Sequence, residues 1–193
     1  MTKYIFNGKD VIEKDFLYVY SPASARTGEF CERENSIANF PEGCEDKFDY
    51  VSILTKKKYS GRVKLSATCR FDKFGAPLIV FTNDITTGSD GKYTYGLHFE
   101  CVAYEGGCNM WRIEPDPKRV ERPIATSKIA FTDFAIPEKS LIEMTLEISG
   151  KTMTAFVNGV KLSCTHPDIP DEFHVGITAC EGPNLFFDFT VED

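Results

Sequence analysis

Residues 142–164 read IEMTLEISGKTMTAFVNGVKLSC, and this stretch decides the fold class. Ile142, Met144, Leu146 and Ile148 alternate with Glu143, Thr145, Glu147 and Ser149 up to Gly150-Lys151, and a second arm runs through Met153, Ala155 and Val157. Successive side chains of a strand point to opposite faces, so each alternating run reads as a half-buried strand. A two-residue turn at Gly150-Lys151 sets Ile148 opposite Met153, Leu146 opposite Ala155 and Met144 opposite Val157, which gathers the apolar residues on one face. Asn158-Gly159 supplies the second turn, because both central positions of a type I′ turn need positive φ. That turn sets Val157 opposite Val160 and Ala155 opposite Leu162. The expected unit is a three-stranded antiparallel meander.

The same alternation recurs outward from it. Val63, Leu65, Ala67, Cys69 and Phe71 alternate with Arg62, Lys64, Ser66, Thr68 and Arg70; Tyr95, Leu97, Phe99, Cys101 and Ala103 alternate with Thr94, Gly96, His98, Glu100 and Val102. Pro77 to Thr82, Met110 to Glu114, Val175 to Cys180 and Leu185 to Val191 read as further strands, joined by turn-rich loops. About ten strands with one apolar face each must bury against a second sheet. The reading is an all-β, two-sheet antiparallel β-sandwich of jelly-roll type. It is one domain over residues 1–193, with a strand and a long irregular loop in 1–47 and the sandwich body in 48–193.

Composition narrows the partners. The 193 residues include 22 Lys plus Arg and 29 Asp plus Glu, a formal charge of −7, with 42% hydrophobic and 13% aromatic residues. Such a chain folds. A net acidic surface is a poor match for phosphate backbones, so no nucleic acid is expected as a partner, and no apolar run reaches the length of a membrane span. Nothing in Met1 to Phe16 reads as a secretion signal, because Asn7, Lys9 and Asp10 interrupt it. Seven cysteines without zinc spacing predict free thiols and a cytoplasmic protein, with secretion by another route left open; Cys31 and Cys44 are the pair that an oxidising compartment would join.

The segments KKKYSGRVKLSATCRF (56–71), YGLHFE (95–100), TLEISGKTMTAFVNGVKL (145–162) and HVGITACEGPNLFFDFTVED (174–193) carry a resemblance. Over roughly residues 48–193 their order resembles the concanavalin A-like lectin/glucanase superfamily, and is similar to keto-disaccharide hydrolase-like and laminin G-like sugar-associated domains. The resemblance implies a sandwich whose concave sheet holds saccharide, in members that range from hydrolases to plain binding modules. The Glu-x-Asp-x-x-Glu strand of its retaining glucanases has no counterpart; the nearest fragment, Glu114-Pro-Asp116-Pro-Lys-Arg119, lacks the second Glu.

Glycoside hydrolysis uses two carboxylates across the scissile bond. Glu100 and Glu114 are the candidate catalytic pair, and their placement depends on the turn near Gly106-Gly107. A two-residue turn there puts Trp111 on the face of His98 and Glu100, with Val102 opposite Trp111. A three-residue loop instead sets Arg112 or Glu114 opposite Glu100 and sends Trp111 and Ile113 inward with Leu97 and Phe99. The second arrangement keeps the apolar residues together and is the expected one, with His98, Glu100, Arg112 and Glu114 on one polar face. That face is either a solvated surface of cross-strand ion pairs or a saccharide site. Trp111 and Tyr93 join the ligand-binding candidates as stacking platforms, and Phe74 and Tyr104 are further loop-proximal aromatics.

No cofactor is called for. Asp188 is the candidate ligand for a structural calcium that the resemblance brings with it, although calcium wants six to eight oxygens. His166 and His174 lack partners at metal or triad spacing, and no Gly-rich phosphate loop occurs. The expectation is a carbohydrate-binding or carbohydrate-associated sandwich without catalysis of its own, its partner an oligosaccharide or sugar on the concave sheet. The alternatives are a glycoside hydrolase or lyase using Glu100 and Glu114, and a protein-interaction module.

Overall fold

The computed structural model describes residues 1–6, 10–24 and 27–193. In chain order the elements begin with β1 (Thr2–Ile5), the short helix α1 (Asp10–Asp15), β2 (Phe16–Tyr20), β3 (Cys31–Arg33) and β4 (Ser36–Ala38). There follow β5 (Val51–Thr55), β6 (Tyr59–Ser60), β7 (Val63–Phe71), β8 (Ala76–Thr82), β9 (Ile85–Thr87), β10 (Tyr93–Tyr95), β11 (His98–Tyr104) and β12 (Gly107–Pro115). The chain closes with β13 (Ile124–Asp133), β14 (Ile142–Ser149), β15 (Thr152–Val157), β16 (Val160–Thr165), β17 (Glu172–Cys180) and β18 (Asn184–Glu192).

These strands form two sheets. One runs β16-β15-β14-β7-β18-β4-β3 with β1 also on β18; the other runs β13-β12-β11-β8-β17-β5-β2-β10-β9 with β6 on β17. Among the described strands pairing is antiparallel except between β10 and β2, which is parallel. The sheets enclose one apolar layer in which Phe71, Phe81, Phe99, Phe173, Phe186 and Phe189 are fully buried. Phe81 stacks on Phe99 at 5.2 Å between ring centroids and tilts against Phe173 at 5.3 Å, which joins β8, β11 and β17 through one cluster. Truncating a phenylalanine of this kind removes about 3–5 kcal/mol. The expected all-β sandwich is the observed fold.

The meander forms in the expected register. Ile148 faces Met153, Leu146 faces Ala155, Met144 faces Val157, Val157 faces Val160 and Ala155 faces Leu162. Asn158 and Gly159 hold φ of 48° and 82°. The loop expected before residue 48 is corrected: β2 enters one sheet and β3 and β4 the other. These strands are three to five residues long, and tertiary burial of Phe16, Val19, Ile37 and Ala38 orders them where no alternation announces a strand.

A second apolar cluster lies apart from the main core and contains Val19, Leu54, Ala76, Leu78, Val80, Tyr95 and Val102. By alternation these side chains of β8 and β11 leave the outer face of the ten-stranded sheet, opposite to Ile79, Phe81, Phe99 and Cys101. That outer face carries the candidate site.

Candidate functional site

The β11–β12 hairpin corrects the expected register. Tyr104 pairs with Gly107 around a two-residue turn at Glu105-Gly106, so Val102 faces Asn109, Glu100 faces Trp111 and His98 faces Ile113. The three-residue loop was expected because it sends Trp111 and Ile113 inward. Cys108 and Met110 fill that inner layer instead, both fully buried with Cys101, Ala103 and Phe99. Trp111 therefore turns to the outer face, where its indole N–H donates to Asn109 Oδ1 at 2.6 Å, a bond that an apolar core would have denied it.

The shift by one residue separates the expected polar set. His98, Glu100 and Trp111 share the outer face, whereas Arg112 and Glu114 alternate to the other side of β12. There Arg112 Nε donates to Asp168 at 2.7 Å and its Nη1 lies 2.9 Å from Glu114 Oε1, and the guanidinium holds the Glu114 carboxyl below its ordinary range. Glu100 and Glu114 thus leave the β11–β12 hairpin on different faces.

A cleft of about 670 Å³ opens on the outer face. Its floor is apolar at Ala76, Leu78 and Val102, with Glu100, Asn109 and Trp111 beside them. Phe74 and Phe48 meet edge-to-face at 5.9 Å on one wall, and Thr126 and Lys128 of β13 line the other. Lys128 Nζ lies 5.2 Å from the Trp111 ring centroid and 5.4 Å from that of Phe131. Arg122, Tyr104, Glu105 and Glu181 complete the lining. A volume in the range of small-molecule sites, an apolar floor and a few convergent polar groups are what ligand pockets share.

The chain before β11 sets the polar end of the floor. Gly96 N–H donates to the Asp84 carbonyl and Leu97 N–H to the Asp84 carboxylate, each at 2.9 Å. A Cβ at Gly96 would collide with that carboxylate, so only glycine allows this approach. The bend breaks the expected alternation from Tyr95 to Phe99. Tyr95 lies in the outer cluster, its ring 4.4 Å from that of His98 and its hydroxyl 2.6 Å from Ser52 Oγ. His98 is buried, with Nδ1 2.9 Å from the Gly96 carbonyl oxygen and Nε2 3.4 Å from Glu100 Oε1. Tyr50, whose hydroxyl is buried, and Cys180 also neighbour Glu100; burial pushes the phenols of Tyr50 and Tyr95 and the thiol of Cys180 upward, and the Glu100 charge adds to each.

Of the residues singled out from sequence, His98, Glu100 and Trp111 come together, and Phe74 and Tyr104 line the same cleft. Tyr93 does not: it pairs with Val19 and Thr87 and packs half-buried on the second apolar cluster. Asp188 sits at a bulge of β18, where Oδ1 accepts from Thr68 N–H at 3.2 Å and Oδ2 lies 3.2 Å from Lys3 Nζ. Among the described residues no group of three His, Cys, Asp or Glu side chains is arranged to hold a metal, and the Asp188 carboxylate is engaged by Thr68 N–H and Lys3. Asn109, Lys128, Arg122 and Tyr50 were missed. Alternation through Cys108 and Met110 was the available signal for Asn109.

No protein-family model matches the sequence, and no curated protein does. Solved structures do match. The chain is similar to a galectin-like protein of unknown function from Bacillus subtilis (9% identity, TM-score 0.68, 100% of this chain and 94% of that one). It is also similar to the carbohydrate-binding module CBM66 from Bacillus subtilis (13%, 0.61, 91% and 99%) and to β-agarase A from Zobellia galactanivorans (10%, 0.65, 98% and 89%). At these identities the likeness establishes architecture. The chain shares the two-sheet jelly-roll fold of these structures.

Proposed function

We propose that the protein binds an oligosaccharide in the outer-face cleft and does so without catalysis of its own. One observation carries this reading: a buried carboxylate, Glu100, and a half-buried indole, Trp111, stand opposite each other over an apolar floor. Sugar recognition needs polar groups for hydroxyls beside an apolar surface for the ring face, and the pair supplies both. The neighbouring folds include one named as a carbohydrate-binding module and one named as an agarase, which supports association with carbohydrate.

The separation of Glu100 from Glu114 favours binding over hydrolysis. The other carboxylates on the lining, Glu105 and Glu181, are exposed residues of turns rather than partners set across the floor. The test is calorimetric titration against an oligosaccharide panel with product analysis on the same samples. Binding heat without product supports the reading. Product whose formation is abolished by Glu100→Gln assigns the cleft to a hydrolase or lyase, and no heat across the panel removes the saccharide reading.

A further inference from the structure

One row of side chains crosses the outer face on four adjacent strands. Val80 of β8 stands beside Glu100 of β11, Glu100 opposite Trp111 of β12, and Trp111 opposite Lys128 of β13. Neighbouring strands lie about 4.8 Å apart, so the indole has a carboxyl group on one side and an ammonium on the other, their backbones about 10 Å from each other. The rings hold Lys128 in place: its Nζ lies 5.2 Å from the Trp111 centroid and 5.4 Å from that of Phe131, a cation–π arrangement.

Arg62, Lys64, Arg112 and Lys151 each hold a carboxylate on the protein. The two cations of the cleft do not. Among the described residues neither Lys128 nor Arg122 makes an ion pair, although both line a cleft that also holds carboxyl groups. Arg122 belongs to the connection between β12 and β13, and its charge is felt at the Cys180 thiol on β17, so the guanidinium reaches over the cleft rather than away from it.

We propose that the cleft selects acidic oligosaccharides: a sugar ring on Trp111 turns hydroxyls to Glu100 and an anionic substituent, carboxylate or sulfate ester, to Lys128, with Arg122 facing the acid group of a further unit. The proposal rests on the reading of the cleft as a saccharide site and adds the class of sugar. An ammonium offers three donors and no acceptor, and its hydrogen bonds to an anionic oxygen are about twice as strong as those between neutral groups.

The remaining carboxyl groups of the lining lie away from this position. Gly107 is about 13 Å along β12 from Trp111, and Glu105 is beyond it; β17, which Glu181 follows, is about 14 Å across the sheet from β12. At an ionic strength of about 0.15 M exposed charges are largely screened beyond about 8 Å, so neither opposes an acid group held at Lys128. The same screening blunts the repulsion of an anion by the net charge of −7.

The experiment uses hexasaccharides of α-1,4- and β-1,4-linked glucose, mannose and galactose. Each is titrated calorimetrically beside its C6-carboxylate and its 6-O-sulfate, at about pH 7.5 and about 0.15 M salt. For a linkage that binds, an anionic member binds about tenfold tighter than the neutral one, and the series that shows the gain identifies the acid group. Lys128→Met keeps the aliphatic stem over the rings and removes the charge, which lowers the anionic-to-neutral ratio to about threefold or less; adding Arg122→Gln lowers it to about one. Lys128→Arg retains the preference. Equal or weaker binding of both anionic series by the wild type, or a ratio that persists in the double variant, overturns the proposal, while binding of the neutral members leaves the saccharide reading standing. No heat from any member removes the saccharide reading and the acid preference with it.

Discussion

Glu100 and Trp111 occupy directly opposed positions on adjacent strands, and both leave the sheet on its outer face. Cross-strand neighbours of this kind have Cβ atoms about 4.5–5.5 Å apart, close enough for one sugar ring to touch a carboxylate and an indole together. The juxtaposition exists because Cys108 and Met110, two residues of the same strand, take the inner layer.

Trp111→Ala removes the stacking surface beside the cleft floor, and affinity for a bound oligosaccharide falls about tenfold, or about 1.4 kcal/mol. Arg112→Ala, one position along the chain but on the other face, leaves affinity unchanged. Titration calorimetry of the two variants separates a site on the outer face from one on the face that carries Arg112 and Glu114, and a loss with Arg112→Ala alone would place the ligand on the latter.

The Asn158-Gly159 turn is sensitive for two reasons. Gly159 sits at φ 82° with open space around it, so Gly159→Ala meets backbone strain alone, of about 1 kcal/mol net of the entropy that alanine saves in the unfolded chain. Asn158 accepts from Glu143 N–H through its side chain at 2.9 Å and donates its own N–H to the Glu143 carbonyl at 3.0 Å. Asn158→Ala removes the first of these bonds and costs about 1 kcal/mol. Urea denaturation should show both losses as a lowered midpoint with an unchanged slope.

The meander was legible because turn chemistry and alternation act within a few residues of each other: Ile148, Met153, Val157 and Val160 admit one register once the turns at Gly150 and Asn158 are recognised. The β11–β12 hairpin was not. Glu105-Gly106-Gly107 offers two turn centres one residue apart, and moving between them exchanges Trp111 with Met110 on the inner face. Local pattern cannot choose between two apolar residues; the volume of the inner layer does. Tyr50, Tyr95 and Arg122 reach the site from separate loops and strands, and no periodicity relates them to Glu100. Glu100 and Phe74 were legible as candidates, but their meeting was not.

His174 gives the stability a pH dependence of known sign. Its Nδ1 lies 2.8 Å from the Thr55 carbonyl oxygen, and burial, with Lys58 adding to it, pulls the imidazole below its ordinary 6.5. The unfolded chain binds the proton more readily than the folded one. The associated stability is therefore complete above about pH 6.5 and is lost as pH falls through that value toward the lower folded one. His174→Gln keeps an N–H donor without the titration, so the melting temperature of the wild type should drop relative to the variant between neutral and mildly acidic pH. A constant difference across that range would show that His174 titrates alike in both states.

Two buried thiols of the β11–β12 hairpin lie in contact. Cys101 and Cys108 lie on adjacent strands with sulfurs 3.8 Å apart, both fully buried, yet Cys101 faces Met110 and Cys108 faces Ala103, so the pair is diagonal. Diagonal Cα atoms across a sheet are about 7–8 Å apart, beyond what a disulfide spans without moving the backbone. The Cys101 thiol is also pushed well above 9, first by its hydrogen bond with Cys108 and then by burial, so the thiolate that starts exchange is scarce. Incubating the folded protein with glutathione disulfide should leave both as thiols by peptide mass mapping, while the partly exposed Cys31 and Cys44 become mixed disulfides. All seven should then be reactive in denaturant under reducing conditions. A Cys101–Cys108 bridge formed in the native protein without loss of its melting transition would mean that the β11–β12 pair shifts register in solution, and with it the opposition of Glu100 and Trp111 on which the cleft depends.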